Sequence, residues 1–353
     1  MTRVVSYNIL AGGYNIRARG RRTDALAQVI QSARPDIVGL PEAIHPQTLK
    51  RPMVVEELAE RLGMQLVMGD DNGSVHYRYD SEFKVGLLTR LPIIRTRVHT
   101  RPGILTRPLL EVCVEDHGEP LTVFVAHLVA SFSQRRAGDI RRRREVREIL
   151  RIMAPLQGEP HLLMGDFNAI APGDQLKASA LLHYVIRLDQ EQANSNPADG
   201  HPHLAYVIPE RLHVLNPLLK LVPRSRLLMG LVDMAAGIYA PRTSIGLLRG
   251  AGYVDCFRSL HPGEQGFTCP AAAPAGRIDF IFASPEMARC LAACSVITAC
   301  EGLDVHTASD HLAVTAEFGQ RVGAPLANNL RSDALLASAS KRTPDISQIS
   351  SAP

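Results

Sequence analysis

The sequence predicts a layered α/β fold, and three observations carry that reading. Helix-like stretches alternate with short β-branched runs, among them Thr2–Ile9, Ile37–Leu40, Leu121–Ala126, His161–Met164 and Ile278–Phe282. The chain has 353 residues, 46% of them hydrophobic and only 21% charged, enough to bury a sizeable core in one large domain or one domain with an appendage. Polar residues recur just beyond the strand ends, where layered α/β folds place their sites.

Taken in order, the first residues enter a strand pattern at once, Arg3-Val4-Val5-Ser6-Tyr7-Asn8-Ile9. No basic region followed by an apolar core precedes it, so no secretory signal is expected and the chain reads as cytoplasmic. Thr23–Ala33 places Leu26, Val29 and Ile30 at helical spacing and stops at Arg34-Pro35, while Val54–Leu62 starts a helix after Pro52. From about 175 to 243 the composition changes: polar, Pro-containing loops (194–202) separate the apolar, helix-like stretches 176–188 and 212–239. That region is read as an insertion in a domain covering 1–319. Beyond Phe318 the pattern dissolves into Ala, Ser, Pro and Asn, so 320–353 is expected to be a disordered tail. No internal repeat is evident.

Composition excludes several classes. No uncharged apolar run reaches the roughly 20 residues of a spanning helix. The stretch 212–239 is broken by Lys220, Arg224, Arg226 and Asp233, although its apolar character also permits contact with a membrane surface. Six cysteines without a CxxC pair read as reduced core filler; Cys290 and Cys294 could share a helix face, which is a weak zinc signal. A net charge of +4 and a pI near 8.8 do not by themselves announce a nucleic-acid binder. One cluster does stand out: between 131 and 151 Arg135, Arg136, Arg141, Arg142, Arg143, Arg144, Arg147 and Arg151 face only Asp139, Glu145 and Glu148. The default reading is the solvated face of a helix with Ile140, Val146, Ile149 and Leu150 turned inward. If some arginines, Arg135 and Arg136 first, reach the groove, they would hold a polyanion through its phosphates.

The chemistry-bearing residues sit at strand ends. Asn8 ends the first strand, Glu42 follows Asp36–Leu40, His127 follows Leu121–Ala126, and Asp166 with Asn168 follows His161–Met164. Asp279 lies in Arg277-Ile278-Asp279-Phe280, and Ser309-Asp310-His311 precedes the last strand, Leu312–Phe318. Such a carboxylate set suits a hard divalent cation, for which Glu42 is the best single ligand. Asp166 with Asn168 could activate and orient a water, and Asp279 could fix the His311 imidazole as a positive donor to phosphate. Each feature alone has a plain alternative, a capped turn for Asp166 and Asn168, a solvated carboxylate for Glu42, a sheet-edge histidine for His127. Their joint order favours catalysis. His45, His76, His201 and His203 read as surface residues.

At these positions the sequence resembles the endonuclease/exonuclease/phosphatase superfamily, whose signatures follow in order as Tyr7-Asn8, Pro41-Glu42, Ala126-His127-Leu128, Gly165-Asp166-Phe167-Asn168, Arg277-Ile278-Asp279 and Ser309-Asp310-His311. Lys84–Pro92, Gly252–Asp255 and Phe267-Thr268 support it, and the likeness covers 2 to about 173 and about 245 to 318. It implies a four-layered α/β sandwich of two packed mixed β-sheets flanked by helices. It also implies Mg²⁺, or Mn²⁺ on the same oxygen ligands, held by Asn8, Glu42 and Asp310. Asp166 and Asn168 would position the nucleophilic water, while His127 and His311 would face the phosphate. Two departures stand out: Pro41 replaces the family's usual glutamine, and an insertion of roughly 70 residues is longer than ordinary loops.

Substrate is left open, since one site serves nucleases, lipid phosphodiesterases and phosphatases. The chain lacks the Gly-Leu-Arg pattern of abasic-site endonucleases and has no tryptophan, and Gly276–Phe280 does not match the inositol-polyphosphate 5-phosphatase signature. Secreted DNases and bacterial sphingomyelinases would need an export signal. The expectation is a metal-dependent phosphodiesterase acting on nucleic acid. The alternatives are a lipid head-group phosphodiesterase or small-molecule phosphatase and, from another class, a catalytically silent binding scaffold.

Overall fold

A computed structural model describes residues 1–14, 20–44, 52–69, 84–130, 135–192, 222–240 and 242–321. Met1–Gln320 forms one compact unit.

Period-two alternation builds the layers. The first sheet has the order β11-β12-β1-β2-β4-β3, from β1 (Thr2–Ser6), β2 (Ile37–Ile44), β3 (Gln65–Met68), β4 (Lys84–Thr89), β11 (Leu291–Val296) and β12 (Val314–Phe318). The second runs β5-β6-β7-β8-β10-β9, from β5 (Ile93–His99), β6 (Leu109–Asp116), β7 (Glu119–His127), β8 (His161–Asp166), β9 (Val254–Asp255) and β10 (Asp279–Ala283). Val4, Ile37 and Leu87 of the first sheet meet Val123, Val125, Leu162, Met164 and Ile281 of the second in the central layer. Their sequence neighbours point outward, because successive strand side chains alternate faces. Val5, Val38 and Leu88 pack under helices α1 (Thr23–Ser32) and α2 (Val54–Leu62). Phe124, Leu163, Phe280 and Phe282 pack under α3 (Arg135–Met153) and, beyond the insertion, α6 (Thr243–Gly250). Each such fully buried aliphatic or aromatic residue contributes roughly 1.5–3 kcal/mol. The result is the expected four-layered sandwich.

The insertion supplies α4 (Ala178–Gln192) and α5 (Arg226–Tyr239), which share a small core of Leu182, Val185, Ile186 and Val222. Residues 193–221 lie outside the described set, as do His45, His76, His201, His203 and, apart from 320 and 321, the proposed tail. The insertion's root is tied to the body by buried Arg277, whose guanidinium donates to Asp174 Oδ2 at 2.8 Å and to Asp255 Oδ1 and Oδ2 at 2.8 and 2.6 Å. Two short helices, α7 (Cys256–Leu260) and α8 (Pro285–Ala288), complete the chain.

Three local expectations change. The second strand does not stop at Leu40 but continues through Pro41 and Glu42 to Ile44, with a register shift between Leu40 and Ile44 that tolerates a proline without a ladder N–H. Cys290 and Cys294 share no helix face, because β11 occupies Leu291–Val296; all six cysteines are free thiols. On α3, Val146 and Ile149 are buried, but Ile140 is 38% exposed. It falls out of phase with them by half a helical turn, and Gly138 and Arg142 take the inner face instead.

Candidate active site

Both sheets end their central strands at the same rim. In the second sheet the pairing is direct: His127 of β7 lies opposite Asp166 of β8, and Asp166 lies opposite Asp279 of β10. Three functional groups therefore occupy one row across adjacent strands. The first sheet supplies Asn8 two residues beyond β1, Glu42 within β2, and Ser309-Asp310-His311 just before β12.

Local chemistry explains how the β8 turn holds its residues. Gly165 has φ of 145°, and a Cβ there would meet the Ala126 carbonyl oxygen at 1.8 Å, so only glycine lets β8 approach β7 this closely. Asn168 takes a left-handed φ of 47°; its N–H donates to Asp166 Oδ1 at 2.8 Å and its amide donates to the Leu128 carbonyl at 3.0 Å. The capped-turn reading is thus correct for one oxygen of Asp166. The other, Oδ2, faces the site.

That oxygen is the focus of three nitrogens. Asn8 Nδ2 donates to it at 3.1 Å, and His127 Nε2 and His311 Nε2 lie 3.6 and 3.9 Å away. Asn8 also spans to Glu42 Oε1 at 3.4 Å, which in turn lies 3.7 Å from His127 Nε2, while Glu42 Oε2 accepts the Ala11 N–H at 2.9 Å. Asn8 Oδ1 accepts the Leu10 N–H at 3.0 Å, so in this state its amide bridges the two carboxylates. His311 Nδ1 lies 2.8 Å from Asp279 Oδ2. The Asp310 side chain, 42% exposed, sits 4.0 Å from His311 Nε2 on the solvent side. All eight catalytic and metal positions expected from the sequence meet at this rim. Arg135 and Arg136 lie in the first turn of α3, but their side chains fall outside what is described.

Burial governs the protonation states. Burial, then repulsion from Asp279, pushes the Asp166 carboxyl up to about 7 against the pull of His311. Burial likewise raises Glu42, with Asp310 adding to it and the Ala11 N–H working the other way. His127 is pushed well below the usual histidine range by burial and by the Arg107 and His311 charges, opposed by a hydrogen bond to the Pro41 carbonyl. For His311 burial would also lower the value, but Asp279, Cys269 and Asp310 prevail and hold it well above. One histidine is neutral and the other cationic.

Several contributors carry no sequence signal because they act through backbone carbonyls far away in the chain. Arg107 Nη1 donates to the Leu128 carbonyl at 2.9 Å, fixing the turn after His127. Arg22 donates to the carbonyls of Ile9 and Tyr14 at 2.8 and 3.2 Å and also to Ala308, clamping the loops that carry Asn8 and Asp310.

The donor chemistry fits a divalent cation. Asp166, Asp279 and His311 offer ligand atoms within 4.8 Å of one another. His311 Nδ1 and Asp279 Oδ2 are already joined by a hydrogen bond, however, and a hard cation prefers oxygen. Glu42, bridged to Asn8, raised by burial and close enough to Asp310 to feel its charge, is a carboxylate that a positive partner would stabilise.

Solved structures share the fold. They include an AP endonuclease from Archaeoglobus fulgidus (16% identity, TM-score 0.53, 90% of this chain and 99% of that one) and a Neisseria 3′ phosphatase bound to a product DNA hairpin (15%, 0.55, 91% and 100%). A third is an endonuclease/exonuclease/phosphatase from Beutenbergia cavernae (19%, 0.51, 91% and 73%). No curated protein matches the sequence. The family profile matches residues 5–311, and the chain belongs to the endonuclease/exonuclease/phosphatase family.

Proposed function

We propose that this metal-dependent phosphate-ester hydrolase is a phosphodiesterase using Mg²⁺, with Mn²⁺ able to replace it on the same ligands, and that its substrate is nucleic acid. The observation that carries the catalytic reading is Asp166 Oδ2, one carboxylate oxygen faced by Asn8, His127 and His311 and raised in basicity to about 7. A base poised near neutrality takes a water proton without being permanently protonated.

Asp166 accepts that proton as the water oxygen bonds to phosphorus and the opposite ester P–O bond breaks, the departing alkoxide taking a proton from solvent, and Asn168 holds the Asp166 carboxylate through its N–H. His311, kept cationic by Asp279, donates to the phosphoryl oxygens where negative charge grows. His127, kept neutral by burial and with its one N–H on the Pro41 carbonyl, faces Asp166 and Glu42 without adding charge to the site. Glu42, Asn8 and Asp310 are the residues that would hold the metal, which when bound supplies Lewis-acid stabilisation of the same oxygens.

Helix α3 supports a polyanionic substrate. Its acids are all taken: Glu145 accepts from the Thr106 and Val129 N–H groups at 3.0 and 3.1 Å, Glu148 pairs with Arg151 at 2.6 Å, and Asp139 accepts the Thr243 hydroxyl. Arg141, Arg144 and Arg147 remain exposed, beside Arg142, which donates at 3.1 Å to the carbonyl of Val129, two residues past His127. A run of outward arginines on the helix that follows the His127 turn suits successive phosphates.

Hydrolysis by the purified protein of single- and double-stranded DNA, RNA, sphingomyelin and inositol phosphates, with Mg²⁺ or EDTA, tests the proposal. Chelator-sensitive cleavage of a nucleic acid is expected. Cleavage of the lipid or inositol phosphate alone would overturn the substrate class, and inertness of the whole panel would favour a silent scaffold.

A further inference from the structure

Helix α5 carries apolar side chains on two opposite faces. On one, Met229 and Val232 pack against α4, and the helix's single acid, Asp233, accepts from the Ser179 N–H and hydroxyl at 2.7 and 2.9 Å. On the other, Leu227, Leu231, Met234 and Ile238 follow one another at helical spacing and are 74%, 48%, 60% and 75% exposed. Nine large hydrophobic residues are exposed among the described residues, and these four with Leu228 place five of them on this one helix. An outward helix face is normally polar, and a contiguous exposed apolar stripe marks an interaction surface.

The charge around the stripe selects the partner. Arg224 and Arg226 are exposed at its N-terminal end, and the one acid of the helix, Asp233, is turned inward. An apolar face edged by cations complements an interface that is hydrocarbon beneath and anionic at the head groups. Among the described residues no helix is long and apolar enough to cross a bilayer, so the fit is to the plane of the surface. A second copy fits less well: five side chains on one helix present on the order of 500 Å², against about 800 Å² per partner in a standard interface.

We propose that α5 docks on an anionic lipid surface, with Leu227, Leu231, Met234 and Ile238 in the head-group boundary and Arg224 and Arg226 on the lipid phosphates. This goes beyond the catalytic reading and does not depend on which phosphate ester is cleaved.

Sedimentation of the full chain with phosphatidylcholine vesicles, and with vesicles containing phosphatidylglycerol as well, tests it. The protein should partition onto the anionic vesicles. Leu231→Glu with Ile238→Glu should lower that partitioning on the order of 100-fold. Arg224→Gln with Arg226→Gln should lower it roughly 10- to 30-fold. The glutamate variant should keep its melting temperature and its hydrolysis of a small soluble diester. Failure of the unaltered protein to sediment overturns the proposal. So does a lower melting temperature in the glutamate variant, which would mean that another part of the chain, such as 193–221, covers the stripe, and so does a dimer that the substitutions split. Binding needs no turnover, so an inactive protein that sediments would count against the catalytic reading alone.

Discussion

Asp166 and Asp279 are direct cross-strand partners on β8 and β10, two buried carboxylates side by side, with His311 bonded to the second and facing the first. Like charges at such a spacing disfavour each other, and in the proposed mechanism this separates their roles: Asp279 supports the His311 cation and Asp166 serves as the base.

Replacing Asp166 by Asn should lower kcat by about 10²–10⁴-fold, the usual contribution of a general base. In EDTA the same variant should be more stable than the parent above neutrality. The folded carboxyl is pushed up to about 7 from the ordinary 3.8, so the folded state binds more protons; its contribution is full below about pH 4 and is lost as pH rises from there through 7. Denaturant melts at pH 5 and pH 8 should show the variant's advantage growing by on the order of 1–3 kcal/mol between the two.

The Asp279–His311 pair should set the alkaline limb of the pH–rate profile. Because His311 titrates well above the ordinary histidine value, activity should persist past neutrality and fall when its proton is lost. Asp279→Asn should move that limb to lower pH. A limb that stays in place would assign it to another group.

Glu42→Gln should weaken Mg²⁺ binding by about 10- to 100-fold, while an intact rim preserves the melting temperature in EDTA. Calorimetric titration of metal into both proteins reads this directly.

Gly165→Ala should unfold or strongly destabilise the protein, by about 3 kcal/mol or more, since the new methyl group has no room beside the Ala126 carbonyl and the φ is strained. Chemical denaturation of the purified variant, or its absence from the soluble fraction, checks it.

Charge reversal of Arg141, Arg144 and Arg147 should reduce the salt dependence of oligonucleotide binding by up to three phosphate contacts, a change in slope of about 2 for single strands, without altering turnover of a small diester. An unchanged slope would return α3 to an ordinary solvated face.

Much of this was legible from residue order. The strands stood out because β-branched runs end in Asn8, His127 and Asp166 and one opens at Asp279, so each functional residue advertised itself by breaking an apolar pattern. What stayed hidden has a common cause. Arg22 and Arg107 act on carbonyls, which leave no residue-type signature, and Asp174 meets Arg277 across 103 positions. Ile140 looked inward because spacing was judged by residue type; its phase against Val146 and Ile149 puts it outside. The β-branched run stops at Leu40, before Pro41 and Glu42, yet the shifted β2 ladder carries the strand through both.

The most direct test is the single-turnover rate on one phosphodiester, with and without Mg²⁺, for the parent and for Asp166→Asn. A metal-dependent rate in the parent that collapses in the variant, while metal and substrate still bind, is the predicted result. An equal rate in both proteins would contradict the assignment of Asp166 as the base on which the site is built.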